Sequence, residues 1–388
     1  MRPLPLLLCA AVLAPAALPA AEFDQTKLGQ IRPRMQQFVD EGAIAGAVVA
    51  VGNSRGVAYL EAVGSLRLDP ARTMPKNTLF RIASMTKPIT ATGIQLLAED
   101  GKLNVNDPVE KYLPEFKGQL LVEARKGDRL ILKKPARPIT LADLLTHTSG
   151  LPGGYPPGLG NVYGKRNFSL AETTLVIAQR PLEFEPGSRW AYCNAGIDTL
   201  GRVIEVVSGE SYEAFLRRRI FDPLGMTDTV VAPQGEQAKR IVELTTVKNG
   251  KLVPEANPLI GPAKSTSHPI PAGGLYSTAA DMARFYRMML NNGSLEGKKV
   301  LSSASVKALT TVHTGDLKCG FTDGMGFGYG FAVVRKPEGV TAMLSPGTFG
   351  HGGAFGTQSW ADPKQDLFVI LMIQLLRHPQ RRRQPDAP

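Results

Sequence analysis

The chain has 388 residues, of which 43% are hydrophobic and 20% are charged, and its net charge is +11 at pH 7. This composition is typical of a soluble globular protein and excludes the fibrous and the intrinsically disordered classes. The basic residues are spread along the chain without an interleaved aromatic stripe, which argues against nucleic acid as a partner. The one basic cluster, Arg377 with Arg381–Arg383, lies in the tail. We expect a solvated terminus there, and contact with anionic lipid or cell-wall polymer is the alternative.

The N-terminus has the pattern of an export signal. Arg2 provides a short positive region, residues 4–18 are almost all apolar, and the residues just before Glu22 are small, as cleavage requires. The apolar stretch is too short to span a bilayer as a stable helix. We therefore predict a signal peptide at 1–21 and a secreted or periplasmic mature protein without stable membrane insertion.

The remaining chain alternates between strand-like and helical patterns. In chain order, we predict a helix at 24–41, strands at 43–51 and 57–63 joined by the turn 52–56, a helix that starts after Ala83 and ends at Gly101, a hairpin at 119–137, a short helix from Thr140 to Leu145, a surface loop at 151–167, helices at 196–208 and 212–220, a proline-rich connection at 251–272, a helix from Thr278 to Leu290, and strands at 327–334, 357–361 and 367–373. Strands at both ends and helices between them predict one sheet assembled from the two chain termini, with a mostly helical middle.

Ser84 and Lys87 are the most informative pair in the chain. They lie three residues apart where a helix is predicted to start, so their side chains share one helix face. No other serine in the chain has lysine at the third following position. A partly desolvated lysine can take the proton of a serine hydroxyl, which makes Ser84 a candidate nucleophile and Lys87 its candidate base.

A second motif is Tyr192-Cys193-Asn194, the only Tyr-x-Asn sequence in the chain. A phenolate is stabilised beside a lysine cation, so Tyr192 is a candidate general base for serine attack and for the later attack of water. The Asn194 amide can donate to a substrate carbonyl and accept from Lys87. The alternative is a packed aromatic residue followed by a helix-capping asparagine.

The third motif is the glycine-rich stretch 350–353. Glycines let a backbone pass close to a ligand. If this stretch is an edge strand beside Ser84, the N–H groups of Ser84 and Ala354 can form an oxyanion hole, and His351 can bond Tyr192 or the substrate. The alternative is a glycine-rich turn with a solvent-exposed histidine. The candidate substrate-binding residues here are His351, Gly352, Gly353 and Ala354.

Together the three motifs resemble the serine β-lactamase and penicillin-binding protein superfamily, and most closely the class C β-lactamases and the lipolytic family VIII carboxylesterases. The resemblance runs from about residue 44 to residue 373. It implies an α+β fold in which an α/β unit with an antiparallel sheet of the five-stranded type packs on a mostly helical unit, with the active site in the cleft between them. The predicted units are 22–95 with 262–388, and 96–261.

The resemblance also implies roles for individual residues. Ser84 is the acylated nucleophile, Lys87 its proton partner and Tyr192 the base, with Asn194 assisting. The chain departs from the β-lactamase pattern at the third motif, where those enzymes and the transpeptidases carry Lys-Thr-Gly and this chain has His351 at the lysine position.

That departure favours uncharged substrates. A histidine is mostly neutral above its pKa of about 6.5, whereas lysine is a cation suited to a substrate carboxylate. We therefore predict a carboxylesterase acting on short acyl esters. The alternatives are a β-lactamase or D-alanyl-D-alanine peptidase and, less favoured, a sensor or binding protein that is acylated without turnover. Another cation, such as Arg81, Lys264 or Arg284, would restore carboxylate binding.

The stretch Gly52–Gly56 matches the Gly-x-Ser-x-Gly elbow of α/β-hydrolases, with Ser54 as its serine. Strand-like sequence on both sides predicts a hairpin turn instead. No histidine or cysteine has partners at metal-ligand spacing, so we predict no metal and no cofactor, and an ester or amide as the small-molecule substrate. Cys193 and Cys319 remain after signal cleavage. We expect a free thiol at Cys193, and a disulfide is the alternative. The sequence leaves the oligomeric state open.

Overall fold

The computed structural model describes residues 23–154, 167–256 and 268–376. The predicted signal peptide, most of the predicted loop at 151–167, Lys264 and the basic tail lie outside these residues. Within them, no helix is long and apolar enough to cross a membrane.

The first two helices precede the first long strand, and the other helices lie between the first two long strands and the last strands of the chain. The helices are α1 (Gln25–Gly29), α2 (Ile31–Asp40), α3 (Thr86–Glu99), α4 (Leu141–Leu145), α5 (Leu170–Ala178), α6 (Asn194–Ser208), α7 (Tyr212–Leu216), α8 (Asp222–Leu224), α9 (Gly235–Lys239), α10 (Ala279–Leu290) and α11 (Ser303–Thr310). A 3-10 turn, Ala83–Met85, precedes α3, and a π turn, Arg217–Phe221, joins α7 to α8.

The long strands lie near the two ends of the chain. The strands are β1 (Gly46–Gly52), β2 (Val57–Arg67), β3 (Arg72–Thr73), β4 (Phe80–Arg81), β5 (Leu121–Lys126), β6 (Arg129–Lys133), β7 (Thr245–Lys248), β8 (Lys251–Pro254), β9 (Tyr276–Ser277), β10 (Ser294–Leu295), β11 (Lys298–Lys299), β12 (Met325–Phe327), β13 (Ala332–Val334), β14 (Phe349–Gly352), β15 (Gln358–Asp362), β16 (Leu367–Met372) and β17 (Leu375–Leu376).

The largest sheet has eight antiparallel strands in the order β12-β13-β14-β15-β16-β1-β2-β3. Strand β16 pairs with β1, with Val369 opposite Val51, so the sheet joins the two ends of the chain. The predicted antiparallel sheet built from both ends is therefore confirmed. Its five longer strands, β14, β15, β16, β1 and β2, form the expected five-stranded core, and the short strands β12, β13 and β3 extend it.

Side chains alternate between the two faces of a sheet along each strand. Here both faces carry apolar side chains, and helices cover both of them. Val48 and Ala50 of β1 join the main core, to which α10 contributes Phe285. Val49 of β1 packs instead in a second cluster with Leu28 of α1. Every residue of β1 is buried, which explains its nearly continuous apolar sequence.

The predicted helix at 24–41 is divided into α1 and α2, which meet at Gln30. Pro33 is the third residue of α2. The first turn of a helix leaves its N–H groups without intrahelical partners, so a residue that lacks the N–H is tolerated there. The proline thus marks the start of a second helix.

The prediction of one strand at 327–334 is wrong. The stretch forms β12 and β13 around a turn closed by the Gly328 N–H and the Phe331 carbonyl. Gly330 has φ 72°, and a Cβ there would lie 2.5 Å from the Cβ of Ala91. The glycines therefore require a turn where the apolar pattern alone suggests a strand. The predicted connection at 251–272 likewise begins with strand β8.

The middle of the chain is mostly helical, as predicted. Helix α6 packs against α3, α4 and α5 through buried residues such as Ile197 and Leu200. The hairpin predicted at 119–137 is formed by β5 and β6. The division into units at 95–96 and 261–262 stays a prediction.

Candidate active site

Ser84 and Lys87 lie where β4 leads into α3. Ala83 has a left-handed backbone with φ 46°, which is strained for alanine and turns the chain sharply before the serine. Lys87 is the second residue of α3, and its Nζ lies 3.1 Å from Ser84 Oγ. The side-chain contact expected from their spacing is present.

The Lys87 amine makes three polar contacts. It donates to Asn194 Oδ1 at 2.8 Å and to the Ala272 carbonyl at 2.6 Å, and its third partner is the Ser84 hydroxyl. A neutral amine has two N–H donors and one lone pair, so the two carbonyl oxygens take its hydrogens and the lone pair is left for the serine proton. An ammonium group with three N–H donors satisfies the same three oxygens. The Lys87 amine therefore fits its surroundings both before and after it accepts a proton.

Burial lowers the pKa of Lys87 to about 7, and the negative charge of Asp198 only partly opposes this effect. In a large fraction of the protein molecules the Lys87 amine is therefore neutral near pH 7. Asp198 Oδ1 also accepts the Ala272 N–H at 2.9 Å and so fixes the residue whose carbonyl receives Lys87. The sequence analysis missed Asp198. Asp198 lies four residues after Asn194, on the same face of α6, but the predicted helix began only at residue 196 and did not include Asn194.

Tyr192 contacts the same serine. Its hydroxyl donates to Ser84 Oγ at 2.8 Å, and its ring centre lies 4.7 Å from Lys87 Nζ. Burial raises the pKa of the phenol, which is opposite to the direction expected for a phenolate beside a lysine cation. The reason is that Tyr192 packs among aromatic rings, including those of His147 and Phe321, so that little water is left to stabilise its anion. The raised pKa suits the phenol to donate a proton, and the lowered pKa suits the lysine to accept one.

His147 holds the backbone next to Tyr192. Its Nδ1 accepts the Cys193 N–H at 3.2 Å, and its ring centre lies 4.6 Å from that of Tyr192. Burial lowers the pKa of His147 well below 6.5, so the ring is neutral and its Nδ1 stays free to accept. The sequence analysis assigned His147 no role.

Strand β14 brings the glycine-rich stretch beside Ser84, but as an interior strand between β13 and β15. A Cβ on Gly353 would lie 2.5 Å from the carbonyl oxygen of Ile82, two residues before the serine. Glycine is therefore required for the close approach of the two segments. Among the described residues, no backbone carbonyl accepts from the N–H of Ser84 or of Ala354. Both groups thus remain available as donors, as an oxyanion hole requires.

His351 is buried, so the alternative of a solvent-exposed histidine is wrong. Its Nδ1 lies 2.6 Å from the Gly352 carbonyl, which can only accept, so Nδ1 carries the proton. Burial and the nearby charge of Lys87 lower the pKa of His351 to about 3. The ring therefore brings no positive charge to the site.

Ser84 and Tyr192 open into a cleft of about 690 Å³. Its lining also contains His351, Gly352, Gly353 and Ala354, with an apolar wall of Phe321, Met325, Phe327, Val340, Leu344 and Trp360. None of the described lining residues carries a formal positive charge. Of the alternative cations, Arg81 lies over the ring of Tyr276, and Arg284 pairs with Glu296.

The two candidate serines have different surroundings. Ser54 lies in the turn between β1 and β2, and its N–H and hydroxyl both bond to the carboxylate of Asp366. A nucleophile elbow needs a strand followed by a helix, so the hairpin interpretation is confirmed. Cys193 and Cys319 are both free and buried. In the part of the chain that the structure describes, no group of three metal-binding side chains occurs.

A serine hydroxyl in contact with a lysine amine and a phenol at the mouth of a cleft defines a serine hydrolase. The chain belongs to the β-lactamase family, because the family model described as "Beta-lactamase" matches residues 31–387.

Named relatives agree with this assignment. The chain is 31% identical over 360 residues to Esterase EstB of Burkholderia gladioli, and the match covers 87% of each chain. It is 28% identical over 389 residues to a putative D-alanyl-D-alanine carboxypeptidase of Salmonella typhi, with 93% of this chain and 85% of the relative covered. Among solved structures, EstCE1, described as a hydrolase with promiscuous acyltransferase activity, superimposes with a TM-score of 0.76 at 24% identity. That match covers 90% of this chain and 94% of EstCE1, and it supports the shared fold.

Proposed function

We propose that this serine hydrolase is a carboxylesterase that cleaves short acyl esters through an acyl-enzyme on Ser84. The observation that carries the proposal is the contact of Ser84 with both Lys87 and Tyr192 in a cleft whose described lining holds no cation. An uncharged ester needs no cationic anchor, whereas a substrate carboxylate does.

The first half of the reaction forms the acyl-enzyme. Neutral Lys87 accepts the Ser84 proton while Oγ attacks the ester carbonyl. The N–H groups of Ser84 and Ala354 stabilise the negative charge that develops on the carbonyl oxygen. Asn194 keeps the amine oriented, since its Oδ1 holds one of the two N–H groups of the neutral lysine.

The second half releases both products. Tyr192 donates its proton to the departing alkoxide, and the Lys87 ammonium, which lies over the tyrosine ring, then reprotonates the phenolate. Water attacks the acyl-enzyme while the neutral Lys87 amine takes its proton, and the resulting ammonium returns that proton to Ser84 Oγ as the acid leaves. In this scheme Lys87 is the base in both halves of the reaction, and Tyr192 is the acid that protonates the alkoxide.

The pH dependence of kcat/KM tests this division of roles. Because the neutral amine is the active form, activity is expected to rise with pH and to reach half its plateau near the Lys87 pKa of about 7. Neither Tyr192 nor His351 titrates near pH 7, because burial raises the pKa of Tyr192 and lowers that of His351. Initial rates with a p-nitrophenyl ester between about pH 5 and about pH 9 measure the profile. A flat profile, or activity that falls as pH rises through 7, would contradict Lys87 as the base.

A substrate panel tests the ester assignment against the alternatives. We expect kcat/KM for p-nitrophenyl acetate or butyrate to exceed that for nitrocefin or a D-alanyl-D-alanine peptide by at least about 100-fold, because a lost charged contact weakens carboxylate binding. More than one equivalent of released nitrophenol per protein distinguishes an enzyme from an acylated sensor. The likeness to a putative carboxypeptidase keeps the peptidase as the second candidate. Faster cleavage of the peptide or of nitrocefin would favour it.

We also propose that the protein is exported, because residues 1–21 have the composition of a signal peptide. N-terminal sequencing of the mature protein tests this location. A start near Glu22 supports a secreted or periplasmic protein, and an intact Met1 in the fractionated cell extract contradicts it.

A further inference from the structure

The hairpin of β5 and β6 extends from the helical part of the fold and has no role in the site described above. Strand β5 is tied to the body at its base, where the Val122 N–H donates to the Leu182 carbonyl at 2.9 Å and the Leu182 N–H donates to the Leu120 carbonyl at 2.8 Å. Leu121 is buried in the main core. Beyond this anchor, every residue of β6 is exposed.

The exposed part of the hairpin is unusually apolar. Leu130, Ile131 and Leu132 are 43%, 37% and 40% exposed. Side chains alternate along a strand, so Leu130 and Leu132 share one face, and Val122 of β5 lies opposite Leu132 on that face. A row of large apolar side chains on a projecting strand marks an interaction surface.

The same hairpin is basic. Residues 121–133 contain four lysines and arginines but only two acidic residues, Glu123 and Asp128. Arg125 lies opposite Leu130 and shares the face of the leucines, Lys126 and Arg129 lie opposite each other at the tip, and all three are exposed. Long basic side chains can lie along an apolar surface while their charged ends reach outward.

We propose that the β5–β6 hairpin docks the protein reversibly on an anionic lipid surface. Leu130 and Leu132 enter the boundary between headgroups and acyl chains, and Arg125, Lys126 and Arg129 contact the lipid phosphates. A second copy of the chain fits poorly, because pairing two hairpins would bring their cations together. A soluble anionic polymer would leave the leucines exposed to water.

Vesicle co-sedimentation tests the proposal without any need for catalysis. The full chain is expected to bind vesicles of phosphatidylcholine and phosphatidylglycerol, mixed at about 7:3, and to bind pure phosphatidylcholine at least about tenfold more weakly. Replacing Arg125, Lys126 and Arg129 by glutamine is expected to lower the partition coefficient at least about tenfold. The pair Leu130→Ser and Leu132→Ser is expected to lower it about fivefold or more.

Two matched controls use other exposed hairpins of the chain. Lys298→Gln with Lys299→Gln removes charge from β11, and Val247→Ser removes an exposed apolar side chain from β7. Both controls should bind vesicles like the wild type, and every variant should hydrolyse a soluble ester normally, which shows that it is folded. Equal binding to both kinds of vesicle, or an unchanged partition coefficient in the hairpin variants, would overturn the proposal. So would an equal loss of binding in the control variants, because it would point to general surface charge.

Discussion

Ser84→Ala is expected to lower kcat for a p-nitrophenyl ester by at least about 10,000-fold, because it removes the atom that forms the acyl-enzyme. The change deletes one oxygen and leaves the backbone N–H of residue 84 in place. It also frees Lys87 and Tyr192 from a shared partner without introducing bulk. The folded protein should therefore persist, with the same far-ultraviolet circular dichroism and substrate binding close to that of the wild type.

Ser54→Ala is the matched control, since Ser54 is the other serine in a recognisable hydrolase motif. Its hydroxyl bonds to Asp366 in the hairpin turn between β1 and β2. Loss of that bond should reduce the free energy of unfolding by about 1 kcal/mol and leave most of the esterase activity. If Ser54→Ala were inactive while Ser84→Ala turned over, the assignment of the nucleophile would be reversed.

Lys87→Met is expected to lower kcat by about 100- to 10,000-fold. Methionine matches the length of the lysine side chain but cannot accept the serine proton, and it leaves Asn194 Oδ1 and the Ala272 carbonyl without their donor. The buried position suits an apolar side chain, so the fold should survive. The residual activity should no longer rise through pH 7, because the group that titrates there is absent.

Lys102→Met is a suitable control for the lysine change. Lys102 is exposed just past the C-terminal end of α3, the helix that contains Lys87 near its start. This variant should keep both the wild-type rate and the wild-type pH profile. A Lys87→Met enzyme with more than about a tenth of the wild-type kcat and an unchanged pH profile would assign proton transfer to another group.

Sequence patterns correctly predicted those features of the fold that depend on residues close together in the chain. The alternation around Gly52–Gly56 predicted the β1–β2 hairpin, and the three-residue spacing of Ser84 and Lys87 predicted their contact. The predicted helix at 24–41 and the predicted strand at 327–334 were each interrupted by a single residue that does not fit the apolar pattern. Pro33 lies in the first turn of a second helix, and Gly330 turns the chain because Ala91 leaves no space for a Cβ.

The electrostatics of the site could not be predicted in the same way. The pKa of Tyr192 depends on packing against His147 and Phe321, which are distant in the sequence. The sequence placed a lysine charge beside the phenol, but the loss of water around both groups outweighs that charge. Likewise, the link from Asp198 through Ala272 to Lys87 joins three separate segments that only the folded chain brings together.

Labelling with a p-nitrophenyl alkylphosphonate tests the central claim most directly, because such a reagent reacts once with an activated serine and releases nitrophenol. Peptide mass mapping should find a single adduct on the peptide that contains residue 84, formed in step with the loss of esterase activity. Complete inactivation with the adduct on a different side chain, or full activity in protein modified at residue 84, would contradict the mechanism.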